Sequence, residues 1–196
     1  LAYVELYYGG GGGPGIGLQH RITNASLYVH GDSAPALLDN LRIGFSQARA
    51  LEVEVTGGFP WSLTNSLFFS NGVTTGLTGQ VASDRRGVEI RSGTGLLTIT
   101  DVEFSNNGTI GLVATTDGSA ILNRVNAHDN GTGGLELDIG GSLDLQESEV
   151  LNHAGGLGLH VHFAGPFSTI RNNLLSGDGS LPLDSREVIA RVPPTL

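Results

Sequence analysis

Along most of this chain, apolar and polar residues alternate in short runs that end at glycine, asparagine or aspartate. "LLTIT", "VEF" and "GLVAT" follow one another, then "AILN", "VNA" and "GLELDI", then "SLDLQ", "EVL" and "GLGLHVHF". A period of two predicts strands with one buried face. Helices are excluded because glycine recurs too often for a helix of useful length. The runs also repeat as a set. "SNNGTIGL" at 105–112 returns as "HDNGTGGL" at 128–135, 23 residues later. Gly95, Gly118 and Gly141 keep that spacing, as do Ile99, Leu122 and Leu145, and Asn107, Asn130 and His153. Gly111, Gly134 and Gly156 follow, with one residue deleted in the last step.

The pattern extends backwards through 62–81 and 37–55, with "LAYVELYYGG" as the tail of an earlier coil. Forwards, "STIRNNLLSGDG" at 168–179 opens another turn that residues 180–196 finish or cap. A unit of three brief strands cannot bury its own apolar face, so it must stack on copies of itself. The predicted fold is all-β: a single-domain parallel β-helix over 1–196, with about seven coils of roughly 23–25 residues and a length near 34 Å at ~4.8 Å per coil. Ile99, Val102, Phe104, Leu112 and Ala114 should point inward, stacked against Leu122, Val125, Ala127, Leu135 and Leu137. "NNG" and "DNG" then mark one corner on successive coils. Asparagine tolerates the left-handed backbone of a tight corner, and stacked amides can bond along the ladder.

"TNSLFFSNGVTTGL" and "ITDVEFSNNGTIGL" resemble the degenerate repeats of secreted right-handed parallel β-helix proteins of the pectate-lyase-like type, and the likeness covers nearly the whole chain. "LAYVELYYGG" followed by "ASLYVHG" is similar to the opening of such arrays in large bacterial surface proteins. The resemblance implies a right-handed solenoid, extracellular or cell-surface placement, and a function anywhere from lyase to adhesin to spacer. The family's catalytic signatures are absent. There is no Asp-Asp pair, Gly-His-Gly, Arg-Ile-Lys or Arg-x-Pro-x-x-Arg, so the likeness stops at the scaffold.

Composition narrows the chemistry. A net charge of −9 repels nucleic acid and anionic lipid. No apolar run approaches the ~18 residues of a membrane span. Cysteine is absent and every basic side chain is arginine, which removes thiolate and lysine chemistry. Leu1 is neither an initiator methionine nor the start of a signal peptide, so the chain reads as a piece of something longer. "GGGGGPGIG" lacks the Lys-Ser or Lys-Thr of a phosphate loop and reads as a corner.

Several outward positions could carry function. If Leu135, Leu137 and Ile139 face in, Glu136 and Asp138 face out. If Leu157, Leu159 and Val161 face in, His160 and His162 face out, with Asp138 expected beside His160. Asp117, Thr115, Glu52, Glu54 and Gln80 would continue that strip. Carboxylates beside imidazoles can act as acid and base, or bind calcium or zinc, so Asp138, His160 and His162 are the catalytic and metal candidates. An ordinary solvated face is the competing reading. A second candidate is the corner of His128, Asp129, Asn152 and His153. Asp101, Arg124 and Glu147 form a column of alternating sign that favours stacking. Residues 83–95 break the repeat and predict an inserted loop, in which Arg85, Arg86 and Arg91 could grip a carboxylated sugar. Trp61, Tyr3, Tyr7, Tyr8 and Tyr28 could stack on sugar rings, although a lone tryptophan more often belongs to a core. With Glu136 and Asp117, the arginines make up the ligand-binding candidates. The leading expectation is an extracellular adhesive, glycan-binding or spacer segment. The alternative is a polysaccharide lyase, hydrolase or epimerase acting on an acidic glycan. Open strand edges at a solenoid's ends also allow end-to-end or lateral self-association.

Overall fold

The computed structural model describes residues 4–7, 25–32, 37–73, 85–155, 158–175 and 188–190. In chain order the strands are β1 (Val4–Tyr7), β2 (Ala25–Gly31), β3 (Leu37–Asp39), β4 (Leu41–Gly44), β5 (Arg49–Val55), β6 (Trp61–Phe69), β7 (Val88–Ser92), β8 (Leu97–Ser105) and β9 (Ile110–Thr116). They continue with β10 (Ala120–His128), β11 (Gly133–Ile139), β12 (Leu143–Gln146), β13 (Glu149–Leu151), β14 (Leu159–Ala164), β15 (Thr169–Arg171), β16 (Leu174–Leu175) and β17 (Val188–Ala190). Two parallel sheets result. The first runs β1-β4-β6-β8-β10-β12-β15, with β3, β13 and β16 completing its rungs, and the second runs β2-β5-β7-β9-β11-β14-β17. Among the described residues the strands therefore alternate between the two sheets, which carry seven rungs each. No described helix is long and apolar enough to cross a membrane.

The predicted stacking holds pair by pair: Ile99 faces Leu122, Val102 faces Val125, Phe104 faces Ala127, Leu112 faces Leu135 and Ala114 faces Leu137. All ten are buried. Phe68 and Phe104 stack on successive rungs with centroids 5.6 Å apart. Trp61 is buried in the same core and donates its indole N–H to Ser92 Oγ at 3.1 Å, so it is not a sugar platform. Tyr7 lies in β1, Tyr28 donates its hydroxyl to Glu54 at 3.0 Å, and Tyr3 and Tyr8 lie outside the described residues.

Inward positions do not keep strict alternation through the first sheet. Ile99 and Val102 are both buried yet three residues apart. The extra residue between them is a single left-handed one, and it recurs as Asn40, Asn65, Asp101, Arg124, Glu147 and Asn172, with φ between 48° and 56°. Each shifts the strand's phase by one and bends the rung around the core. Asn and Asp tolerate this conformation best, whereas Arg124 and Glu147 hold it within a charge ladder. Arg124 bonds Asp101 through both Nε and Nη2, at 2.6 and 2.8 Å, and lies 3.9 Å from Glu147. The guanidinium beside Asp101 also holds that carboxyl below its ordinary pKa.

Residues 83–95 do not form one loop, because Val88–Ser92 is β7, paired with β5 and β9. From Asn71 to Gly87 the chain takes 16 steps where the next coil takes 4 from Asn107 to Gly111, so the additional residues precede β7. At the C-terminal side, Val188–Ala190 pairs with β14 and continues the second sheet. The remainder of 180–196 lies outside the described residues, as do Leu157 and Gln80.

Glycine holds the corner between the second sheet and the first because successive backbones nearly touch there. A Cβ on Gly95 would meet the Phe59 carbonyl oxygen at 2.2 Å, and one on Gly118 would meet that of Gly95 at 2.2 Å. Gly155, by contrast, faces open space. Gly118→Ala should therefore lower stability by about 1–3 kcal/mol through forced backbone displacement, while Gly155→Ala should change it by less than about 0.5 kcal/mol. Urea denaturation of the two variants side by side measures the difference.

Candidate functional site

The opposite corner, where the first sheet passes into the second, contains two adjacent columns with different duties. Phe45, Ser70, Asn106, Asp129 and Asn152 take the left-handed conformation, with φ between 53° and 57°. The next residue on each coil, Ser46, Asn71, Asn107, Asn130 or His153, points inward and is fully or almost fully buried. The first asparagine of "NNG" thus turns the chain and the second builds a ladder. Asn107 Oδ1 accepts from the backbone N–H and the amide of Asn71, at 3.2 and 3.0 Å. Asn130 Oδ1 does the same for Asn107, at 3.0 and 2.9 Å. The amides of Asn71, Asn107 and Asn130 also donate to the carbonyls of Ile43, Phe68 and Phe104 on the preceding rung.

Among the described residues, His153 ends this ladder as a substitute amide. Its Nδ1 accepts the Asn130 backbone N–H at 3.3 Å. Burial pushes its pKa down to about 4, against the opposing pull of Asp129. Its neighbour His128 sits outside the ladder, 2.8 Å from Asp129 Oδ2 and 3.3 Å from Glu103 Oε1, and Glu103 in turn accepts the Ser105 hydroxyl at 2.8 Å. This corner candidate is therefore one buried structural imidazole and one surface imidazole between two carboxylates.

Of the expected strip on the second sheet, Glu52, Glu54, Thr115, Glu136 and Asp138 lie on paired strands, but the register at β14 differs from the expected one. Glu136, not Asp138, pairs with His160. Asp138 pairs with Phe163, because His162 is an extra residue in a β-bulge that shifts the register after Leu137. Asp138, His160 and His162 are thus not brought together as a trio. His162 Nε2 meets Glu136 Oε1 at 2.9 Å, and the two imidazoles lie with centroids 3.8 Å apart and planes tilted by 41°. Burial, then the neighbouring His162, lowers the pKa of His160, and Glu136 opposes both. A small recess beside this cluster is lined by Ile110, Thr132, Gly133, Leu135, Glu136 and His160.

The cluster does not fit a metal. Calcium requires six to eight oxygens and only Glu136 offers them here, while His162 Nε2 is engaged with that carboxylate. No group of three His, Asp or Glu side chains suited to a metal occurs among the described residues. Asp117 stands apart, exposed at the corner after β9, and Thr115 pairs with Asp138.

Of the three candidate arginines, Arg86 and Arg91 are committed to protein carboxylates. Glu52 and Glu89 oppose each other across β5 and β7, an unfavourable like-charge pair on its own. Arg49 contacts both, at 2.9 and 2.6 Å, Arg86 reaches Glu89 at 2.9 Å, and Arg91 bonds Glu89 and lies 3.8 Å from Glu52. Arg85 donates through Nε to the Gly72 carbonyl. A carboxylated sugar would have to compete with Glu52 and Glu89 for the same donors. Glu89, buried at 2% exposure, escaped sequence reading because the insertion was placed across β7 rather than before it.

These two parallel sheets, closed by a buried amide ladder, define a solenoid of stacked coils. The model of the right-handed β-helix region family matches residues 24–181, and the chain belongs to that family. No curated protein and no solved structure matches it.

A folded-state imidazole held near 4 makes stability pH-dependent in a defined direction. The contribution of neutral His153 is intact above its ordinary value of 6.5 and is lost as pH falls from there toward about 4. That loss amounts to roughly 3 kcal/mol across the window. His153→Asn should restore an amide to the ladder and flatten the curve. Urea midpoints at several pH values would show it, and an unchanged slope would remove His153 as the cause.

Proposed function

We propose that the chain is a stiff segment of an extracellular surface protein, serving as a spacer. The observation that carries this reading is the use made of outward polar groups, which bond mainly to the next rung. Arg124 bonds Asp101, Thr169 bonds Asp144, Arg171 bonds Gln146, and Thr64 and Asn65 both bond Asp39. Groups spent in this way fix the register of a rod. Membership of a β-helix family typical of secreted and surface proteins supports the extracellular placement.

The recess at Glu136 and His160 favours a second reading, glycan binding. It combines the apolar side chain of Ile110 with a carboxylate and an imidazole held toward its neutral form, the mixture of apolar surface and a few polar groups that ligand sites use. Size-exclusion chromatography of neutral and acidic polysaccharides incubated with the protein separates the readings. The spacer reading predicts unchanged polysaccharide length and no co-elution. Co-elution with one polysaccharide, lost in Glu136→Ala or His160→Ala, would establish glycan binding in its place. Shortened polysaccharide chains would make the protein a lyase or hydrolase and overturn both.

A further inference from the structure

The three Asn-Gly pairs of this chain are Asn71–Gly72, Asn107–Gly108 and Asn130–Gly131, and every one of them lies in the buried ladder. Asn-Gly is the pair in which the chain most readily reacts with itself, because glycine has no Cβ to obstruct its own backbone nitrogen. That nitrogen attacks the asparagine Cγ and forms a C–N bond. The side-chain nitrogen leaves as ammonia, carrying the proton from the glycine N–H, and a five-membered succinimide remains. Water then opens the ring at one carbonyl or the other, giving aspartate or isoaspartate.

Both halves of this reaction are blocked in the folded coil. The nucleophiles are tied to the preceding rung: Gly72 N–H donates to Ser46 O at 2.8 Å, Gly108 N–H to Asn71 O at 2.7 Å and Gly131 N–H to Asn107 O at 2.9 Å. The electrophiles are the amides of the ladder, each held by bonds to neighbouring rungs, at exposures of 0%, 1% and 0% for Asn71, Asn107 and Asn130. We propose that these asparagines are latent modification sites, closed by the fold and opened only when a coil separates from its neighbours.

The product cannot return to the ladder. At position 107, aspartate would set a carboxylate oxygen against the Phe68 carbonyl and Asn130 Oδ1, both of which now accept from the Asn107 amide. Isoaspartate adds a backbone methylene and takes the residue out of the rung spacing. Each event therefore turns a transient opening into permanent loss of that coil.

The experiment is peptide mapping of the full chain after incubation in mildly alkaline buffer, with and without urea, scoring isoaspartate and the mass gain of about one dalton at each asparagine. The proposal predicts that the three ladder positions react first in urea and at least about 100-fold more slowly in the native protein. Native and unfolded rates within about tenfold of each other would overturn it. Asn107→Asp tests the second half. It should fail to fold, or unfold at much lower urea than the parent, and a parental midpoint would show that the product re-enters the ladder.

Discussion

Register between coils is the constraint on which the rest of this structure depends. In a parallel solenoid each rung bonds only to the rungs beside it, so one slipped coil would expose its apolar face and misplace every coil beyond it. The ladder from Ser46 to His153 makes slippage expensive. Each step joins a backbone N–H to a buried side-chain acceptor on the adjacent rung, in a corner where a broken bond leaves a polar group without water. The outward ion pairs repeat the same instruction more weakly, since exposed pairs contribute little individually.

The two corners solve different problems. Where the second sheet returns to the first, backbones approach so closely that Gly95 and Gly118 have no room for a side chain. Where the first sheet passes into the second, a left-handed residue turns the chain and the following amide fills the space it creates. Bonded corners and a continuous core of Ile, Leu, Val and Phe give a rod whose outer faces are free to vary. That separation explains how a chain can keep the scaffold of a β-helix family while lacking the catalytic signatures of its enzymes.

Much of this was legible because a 23-residue period aligns residues that later touch. The stacked core, the corner asparagines and the Asp101–Arg124–Glu147 column follow directly from it. What escaped were departures from the period. The bend positions carry Asn, Asp, Arg and Glu, so no single residue type announces the phase shift that places Ile99 and Val102 on the same side. His162 adds one residue to β14 and moves Asp138 away from His160, a bulge that alternation alone cannot reveal. The insertion hid β7, and with it Glu89 and the true partners of Arg86 and Arg91.

The central claim is that the buried amide ladder holds the coils in register, and Asn107→Leu tests it most directly. Leucine keeps the bulk of the side chain but leaves the Asn71 backbone N–H and the Phe68 carbonyl without their partner. At about 1–3 kcal/mol for each of these two buried groups left unsatisfied, urea denaturation followed by circular dichroism should show a loss of roughly 2–6 kcal/mol. An unfolding free energy within about 1 kcal/mol of the parent's would mean that the apolar core sets the register and the ladder merely follows.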